Sequence, residues 1–347
     1  MKFVRRFSAV LIGVVFFTAG ILKLMDPVGT GLIVEEYFKF FHLRFLNFLS
    51  NPAGLFLALL ETLSGAALIT GVFRKAVSTV VGILIFGFTA ITLILLIFNP
   101  TMDCGCFGEA LHLTHLQSFI KNIVLCALWV TAFIPYSTLG KPAKIKYISF
   151  SLAVLVISFF AIHGVTSVPM IDFTPFAPGT ELTDMLRRAE DEVNILSFSD
   201  AEGQYADTLA IEGEVFVVSS YNPSKLSKGQ WKKISEFMNG VEDMDFRPLL
   251  LVASTPSSIA EIEGAPSGAY FADRKELLTL NRSNGGCTMI SDGEIIAKWP
   301  LNGLPEKEMI IANRTEDPTE AMMAHNTRKR LTAQFFIVGT LALMLIL

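Results

Sequence analysis

The chain is patterned on a coarse scale before any short motif is read. Mostly apolar stretches run over 7–25, 54–73, 77–98, 117–136 and 146–168, and the segment 170–330 then carries most of the charge with no comparable apolar run. A helix needs about 20 apolar residues to cross the hydrocarbon core, so the first half predicts an α-helical membrane bundle over 1–168. A last apolar run, 331–347, at about 1.5 Å per residue is barely long enough to cross. It predicts a short C-terminal transmembrane helix or a chain that stops early.

Composition agrees. Of 347 residues, 52% are hydrophobic and 17% charged, against about 25% charged in a typical soluble domain; mean hydropathy is +0.51. A net charge of −4 offers no basic surplus for nucleic acid. Four cysteines are too few for a disulfide scaffold at this length. These features exclude an ordinary cytosolic enzyme, a disordered chain and a coiled coil.

Lys2, Arg5 and Arg6 before the first apolar run resemble a signal peptide, with Thr18-Ala19-Gly20 as a weak cleavage site. Lys23 and Asp26 close the run as a membrane exit would, and four more spans follow, so the first helix is read as uncleaved. With the N-terminus inside, the inside segments carry Lys2, Arg5, Arg6, Arg74, Lys75, Lys141, Lys144 and Lys146, and the outside ones Lys23, Lys39, Arg44 and Lys121. Excess Lys and Arg mark the cytoplasmic side. The N-terminus is therefore expected in the cytoplasm, and the loop 99–116 and the soluble segment outside. Arg328-Lys329-Arg330 lie on the wrong side for this rule, which long translocated domains override. The aromatic segment 27–53, mixed with Glu35, Glu36, Lys39 and Arg44, predicts an interfacial amphipathic helix or a lid packed on the bundle.

The sharpest chemical signal is Asp103-Cys104-Gly105-Cys106-Phe107-Gly108, just after the third span. On the outer side, where disulfides persist, a Cys-x-Cys disulfide closes a small, strained ring, and strained exposed disulfides are the labile ones. Linking residues two apart restrains almost no unfolded loop, which speaks against a purely structural bond. Redox exchange, a metal site and a structural turn all remain open from the residues alone. The metal reading adds His112 and His115, which give Cys-x-Cys-x5-His-x2-His, a donor set for zinc or copper; surface histidines on an amphipathic stretch are the plainer account. In the redox reading, Cys106→Ser should strand Cys104 as a mixed disulfide with the partner, because no resolving thiol remains.

Glu61 stands inside the second span, about 10 Å deep at helical rise, where a carboxylate is costly and faces the bundle interior. Lys23, ending the first span, is placed to reach it, as a structural pair or in handling protons. Cys126 in the fourth span reads as packing before it reads as a third relay thiol. His163 reads as polar packing at a helix end.

The Arg near the start of span one, Gly20-x-x-Lys23-Leu24-x-Asp26-Pro27, Glu61 followed by Gly65 and Gly71, and the Asp-Cys-Gly-Cys-Phe-Gly loop make residues 1–140 resemble the DoxX-like superfamily. Within it they resemble most the methylamine-utilisation MauE branch. The resemblance implies a helical bundle tied to periplasmic thiol–disulfide chemistry, with Cys104 and Cys106 as the redox pair. It carries over Lys23, Asp26 and Glu61 as motif positions without assigned roles. MauE is needed for maturation of the disulfide-rich methylamine dehydrogenase, and the DoxX side includes subunits of a thiosulfate:quinone oxidoreductase, so quinone enters as an electron acceptor. The family pattern does not call for His112 or His115. No nucleotide, flavin or haem motif is visible.

In the soluble half, Asn194–Phe198, Glu214–Ser219 and Pro248–Ala253 read as strands and Lys225–Met238 as a helix. Thr288–Ile290 and Glu294–Trp299 flank Ser291-Asp292-Gly293, a hairpin turn signal, and a helix is expected from about 304. This order resembles an α/β thioredoxin-like soluble domain over 185–312. Its usual Cys-x-x-Cys position reads Ser220-Tyr221-Asn222-Pro223-Ser224-Lys225, and Gly285-Gly286-Cys287 stands where the fold carries its cis-proline. Scaffold without activity is the implication, with Cys287 a lone thiol beside the vacant site.

The sequence thus predicts a multi-pass protein of a bacterial inner membrane that exchanges disulfides with a periplasmic thiol protein through Cys104 and Cys106. Whether it is an enzyme is left open. A non-enzymatic scaffold or assembly factor whose soluble domain binds a partner is the alternative, and metal binding through Cys104, Cys106, His112 and His115 a second.

Overall fold

The computed structural model describes residues 2–135, 142–182, 195–310 and 318–346, with side chains of the last segment described from 327. Two compact units divide the chain: Met1–Val165 with Thr332–Leu347, and Thr166–Leu331.

The first unit is helical: α1 (Lys2–Met25), α2 (Pro27–Phe40), α3 (Ser50–Thr70), α4 (Arg74–Phe98), a short β1 (Cys106–Glu109), α5 (His115–Phe133) and α6 (Lys144–Thr166). The end of a long last helix, Pro318–Ile346, completes it. Six helices are long and apolar enough to cross a membrane: 2–25, 44–70, 74–98, 115–133, 144–166 and 327–346. The protein is a multi-pass membrane protein. The expected spans are all present with shifted ends. α1 begins earlier because the basic first turn is itself helical. α5 stops at Phe133 rather than 136 because Pro135 disfavours helical backbone at the residue before it.

α1 packs against both α3 and α5. Small residues let it meet α3: a Cβ at Gly20 would fall 2.6 Å from the Thr62 backbone nitrogen, the close helix approach that small residues permit in membranes. Ile12, Phe17 and Leu24 are fully buried. Side-chain bonds fix the directions of the helices. Arg5 Nε donates to the Ala132 carbonyl at 3.0 Å and Arg6 Nη1 to the Leu68 carbonyl at 2.8 Å, so the start of α1 meets the ends of α5 and α3. Gly164 near the end of α6 lies against the Leu24 carbonyl. Ser149 Oγ donates to the Leu343 carbonyl at 3.4 Å, which returns the last helix to the N-terminal end.

Segment 27–53 begins with a capped helix. Asp26 accepts from the Gly29 N–H at 2.9 Å and caps α2, with Pro27 at its first turn, the arrangement that satisfies otherwise unpaired N–H groups. α2 packs on α3 and against the loop at β1, and so covers that loop as a lid, which is compatible with an interfacial position. The following turn exposes Phe45 and Phe48.

The second unit holds a five-stranded mixed sheet, with β2 (Glu214–Ser220), α7 (Lys228–Glu242), β3 (Arg247–Val252), α8 (Pro256–Ala260), β4 (Tyr270–Phe271), α9 (Arg274–Leu280), β5 (Gly286–Ser291) and β6 (Glu294–Trp299) in chain order. The strand order is β4-β3-β2-β5-β6. β2 pairs parallel with β3 and antiparallel with β5, and β5–β6 is the expected hairpin. Alternate residues of a strand face opposite sides. Phe216 and Val218 enter one core with Trp231, Ile234 and Met289; Val215 and Val217 enter another with Leu249, Leu277 and Ile290. Burial on both faces explains why β2 reads as an unbroken apolar run.

The segment expected as a strand before 199 forms no ladder among the described residues. Ser199 makes isolated bridges to Tyr205 and Phe271, and Asn194 lies outside the described residues. The helix expected from 304 begins at 307, because Leu301–Gly303 is a 3-10 turn set by Pro300.

Candidate functional site

The loop after α4 is shaped by its backbone. Asn99 ends α4 in the left-handed region, and Gly105 sits at φ +64. Non-glycine residues enter that region at a cost, and a Cβ at Gly105 would fall 2.4 Å from Ile33 Cγ2 on the lid. Glycine between the cysteines therefore serves the turn and the close seat of α2. Tyr37 of α2 donates its hydroxyl to the Cys104 carbonyl at 2.7 Å.

The Cys104 and Cys106 sulfurs stand 2.6 Å apart as free thiols, beyond the disulfide bond length of about 2.05 Å. Cys104 is 6% exposed and Cys106 somewhat more open. Both border a cavity of about 140 Å³ whose walls include Phe16, Ile33, Tyr37, Phe88 and Leu125. Lys23 and Glu61 border it too. The Lys23 ammonium lies 2.8 Å from each Glu61 oxygen, with side chains 5% and 3% exposed, and 5.8 Å from the Phe88 ring centre. Lys121 of α5 also lines the cavity, 5.2 Å from the Phe107 ring centre.

This setting splits the two thiols. Cys106 is pulled down to about 5: Cys104 donates a hydrogen bond to its thiolate, and Lys121 and Lys23 add positive charge, against the cost of burial. Cys104 is pushed up by giving that hydrogen bond, by burial and by the charge on Cys106. The thiolate is the reactive form of a cysteine, and of the two Cys106 is the one held closer to it. The Tyr37 phenol is pushed up by burial and then by the two cysteines, which keeps it a donor to the loop.

The histidines are turned elsewhere. His112 Nδ1 pairs with Asp103 at 2.8 Å on the surface, and His115 Nε2 faces the Pro100 carbonyl at 3.0 Å. Among the described residues no group of three or more His, Cys, Asp or Glu is placed to hold a metal ion. Asp26 is a helix cap. Cys126 lies 3.4 Å from the Thr89 hydroxyl. His163 lies beside Phe159, ring centres 6.0 Å apart and the rings tilted by 41°.

Residues 1–135 match the family model for methylamine utilisation protein MauE. The match runs from α1 through α5 and so takes in Lys23, Glu61 and both loop cysteines. The rest of the chain lies outside the MauE match. No curated protein and no solved structure matches the chain.

In the second unit, Ser220–Lys225 carries no thiol. Asn284 ties this segment down: its Oδ1 accepts from Ser220 Oγ at 2.9 Å and from the Asn222 N–H at 3.0 Å, and its Nδ2 donates to the Asn222 carbonyl at 2.8 Å. Cys287 pairs across the sheet with Val218 and is 0% exposed; burial pushes its thiol up.

Sequence reasoning named the cysteines, Lys23 and Glu61. It missed Tyr37 and Lys121 as members of the same site. Lys121 gave the same signal as Glu61, an ionisable residue within an apolar span. Tyr37 gave none, because nothing local marks which aromatic of segment 27–53 faces the loop.

Proposed function

We propose that the protein is a redox accessory of methylamine utilisation that exchanges disulfides with a periplasmic thiol protein through Cys104 and Cys106. The observation that carries this reading is the pair of sulfurs 2.6 Å apart in a cavity also lined by Lys23, Glu61 and Lys121. From the dithiol state, the Cys106 thiolate attacks a disulfide sulfur of the partner. A mixed disulfide forms, and the partner's other sulfur leaves as a thiolate and takes a proton. Cys104 then loses its proton and attacks Cys106, closing the Cys104–Cys106 disulfide and releasing the second partner thiol. Two electrons pass to the partner; the reverse sequence oxidises a partner dithiol. In that reverse direction the reduced Cys104–Cys106 pair returns to the disulfide by giving two electrons and two protons to an acceptor, and a lipid-soluble quinone, leaving as the quinol, is the class that suits the apolar cavity walls.

The roles follow the split between the thiols and invert the expectation that Cys104 is the sulfur stranded on the partner. In full-length protein in its native membrane, Cys104→Ser should accumulate a mixed disulfide through Cys106, seen on a non-reducing gel, and Cys106→Ser should not. If both thiols stay reduced in membranes from aerobic cells, or if the double Ser variant still supports growth on methylamine, the redox reading falls.

The scaffold reading has its own support in the second unit. A thioredoxin-like scaffold with Ser220–Lys225 in place of a dithiol, and a buried Cys287, would bind a partner without reacting with it.

A further inference from the structure

The opposite end of the helical unit carries a second site. A cavity of about 840 Å³ opens where the start of α1 meets the ends of α3 and α5. Lys2, Arg5, Arg6 and Arg74 line it, and among the described residues no carboxylate does; Leu68, Val72 and Phe133 supply apolar walls. Gly71 ends α3 at φ +80 without a side chain, and the space where its Cβ would stand is 2.9 Å from Arg6 Nη1 and 3.3 Å from Arg74 Nη2. Two guanidinium groups thus converge over one glycine and repel each other, and Lys146 lies close enough to Arg6 to add to that repulsion.

Helix capping accounts for part of this arrangement. Arg5 and Arg6 donate to carbonyls at the ends of α5 and α3, and Arg74 Nε to the Gly71 carbonyl at 3.0 Å. Such contacts offset the negative end of a helix dipole. Arg5 also donates to the Pro135 carbonyl and Arg6 to the Ile69 carbonyl, but such bonds to neutral carbonyls do not neutralise a cluster of full positive charges in a partly buried pocket, and Arg74 uses one of its five N–H groups on the Gly71 carbonyl. Cationic pockets between transmembrane helices with apolar walls suit an anionic lipid headgroup, whose acyl chains stay in the hydrocarbon.

We infer that this pocket binds the phosphate of an anionic phospholipid in the leaflet at the N-terminal end of the bundle. Arg6 and Arg74 hold the phosphate over Gly71, Lys2 and Arg5 border it, and the apolar walls take the start of the acyl chains. The inference is independent of the thiol site.

The test uses the full-length protein in nanodiscs of phosphatidylcholine, with increasing fractions of phosphatidylglycerol, and reads thermal unfolding and lipid retention by native mass spectrometry. Phosphatidylglycerol should raise the unfolding temperature saturably, while inorganic phosphate with phosphatidylcholine should not. Arg74→Gln should weaken the apparent lipid affinity about fivefold, and Arg6→Gln should do the same or more. Arg74 makes its bond within its own turn, so Arg74→Gln keeps the test alive if Arg6→Gln fails to fold. Equal stabilisation by phosphatidylcholine, equal stabilisation by free phosphate, or unchanged affinity in Arg74→Gln overturns the proposal.

Discussion

Lys23 and Glu61 form a bidentate ion pair, 2.8 Å from the ammonium to each carboxylate oxygen, beside the cavity that holds the loop cysteines. The pair joins α1 to α3 where both side chains are almost wholly hidden. Removing one partner leaves a buried charge uncompensated, which costs about 3–5 kcal/mol, whereas replacing both with apolar residues is often neutral. Glu61→Gln should therefore lower the unfolding temperature in detergent clearly, and Lys23→Met with Glu61→Leu should recover most of the loss. A double variant as unstable as the single one would show that the pair's charge is not what matters to the fold.

The thiol pair predicts a pH profile. Cys106 is held to about 5, so its thiolate persists well below the usual thiol range near 8.5. Alkylation of Cys106 by iodoacetamide should run at its plateau at pH 7 and fall only as pH drops through about 5. Cys104, pushed up by the same hydrogen bond, should stay unreactive across that window. A Cys106 rate that climbs steadily from pH 7 to 9, as for an ordinary thiol, would remove the assignment of Cys106 as nucleophile.

Gly105 links the loop to the lid. At φ +64 and with Ile33 Cγ2 2.4 Å from the site of a Cβ, Gly105→Ala meets both a backbone cost of about 1–2 kcal/mol and a clash with α2. The variant should unfold at lower temperature and let a bulky maleimide reach Cys106 faster as the lid is pushed off. Adding Ile33→Ala should restore the clash component and leave the backbone component. A maleimide rate at Cys106 unchanged in Gly105→Ala would mean that α2 does not cover the thiols.

How far the sequence reaches depends on which interactions are local. Spans were legible because a membrane helix declares itself by about 20 apolar residues. The strands β2, β3, β5 and β6 were legible because burial on both faces makes unbroken apolar runs and a hairpin turn marks the last pair. β4 is two residues long, α8 five and α9 seven, and their amphipathic signal is too short to stand out. At the candidate site, Cys104 and Cys106 announced themselves by spacing. Which lid residues face the loop did not show, because Ile33 and Tyr37 lie about 70 residues before the loop they touch and no local pattern records that contact. The same holds for Lys121, whose significance depends on the sulfurs folded beside it.

The last prediction is topology. The start of α1 meets the ends of α3 and α5 through Arg6 and Arg5, Lys23 and the cysteine loop share the other end, and Gly164 brings the end of α6 to that same side beside Leu24. The N-terminal end therefore gathers Lys2, Arg5, Arg6, Arg74, Lys75, Lys144 and Lys146, and a Lys/Arg excess marks the cytoplasmic face. A reporter fused at 140 should be active only in the cytoplasm and one at 250 only in the periplasm. A membrane-impermeant maleimide should reach Cys106 from the periplasm once Gly105→Ala has loosened the lid. If the fusion at 250 reports cytoplasm, the cysteines face a reducing compartment where disulfides do not persist, and the disulfide-exchange reading fails with the topology.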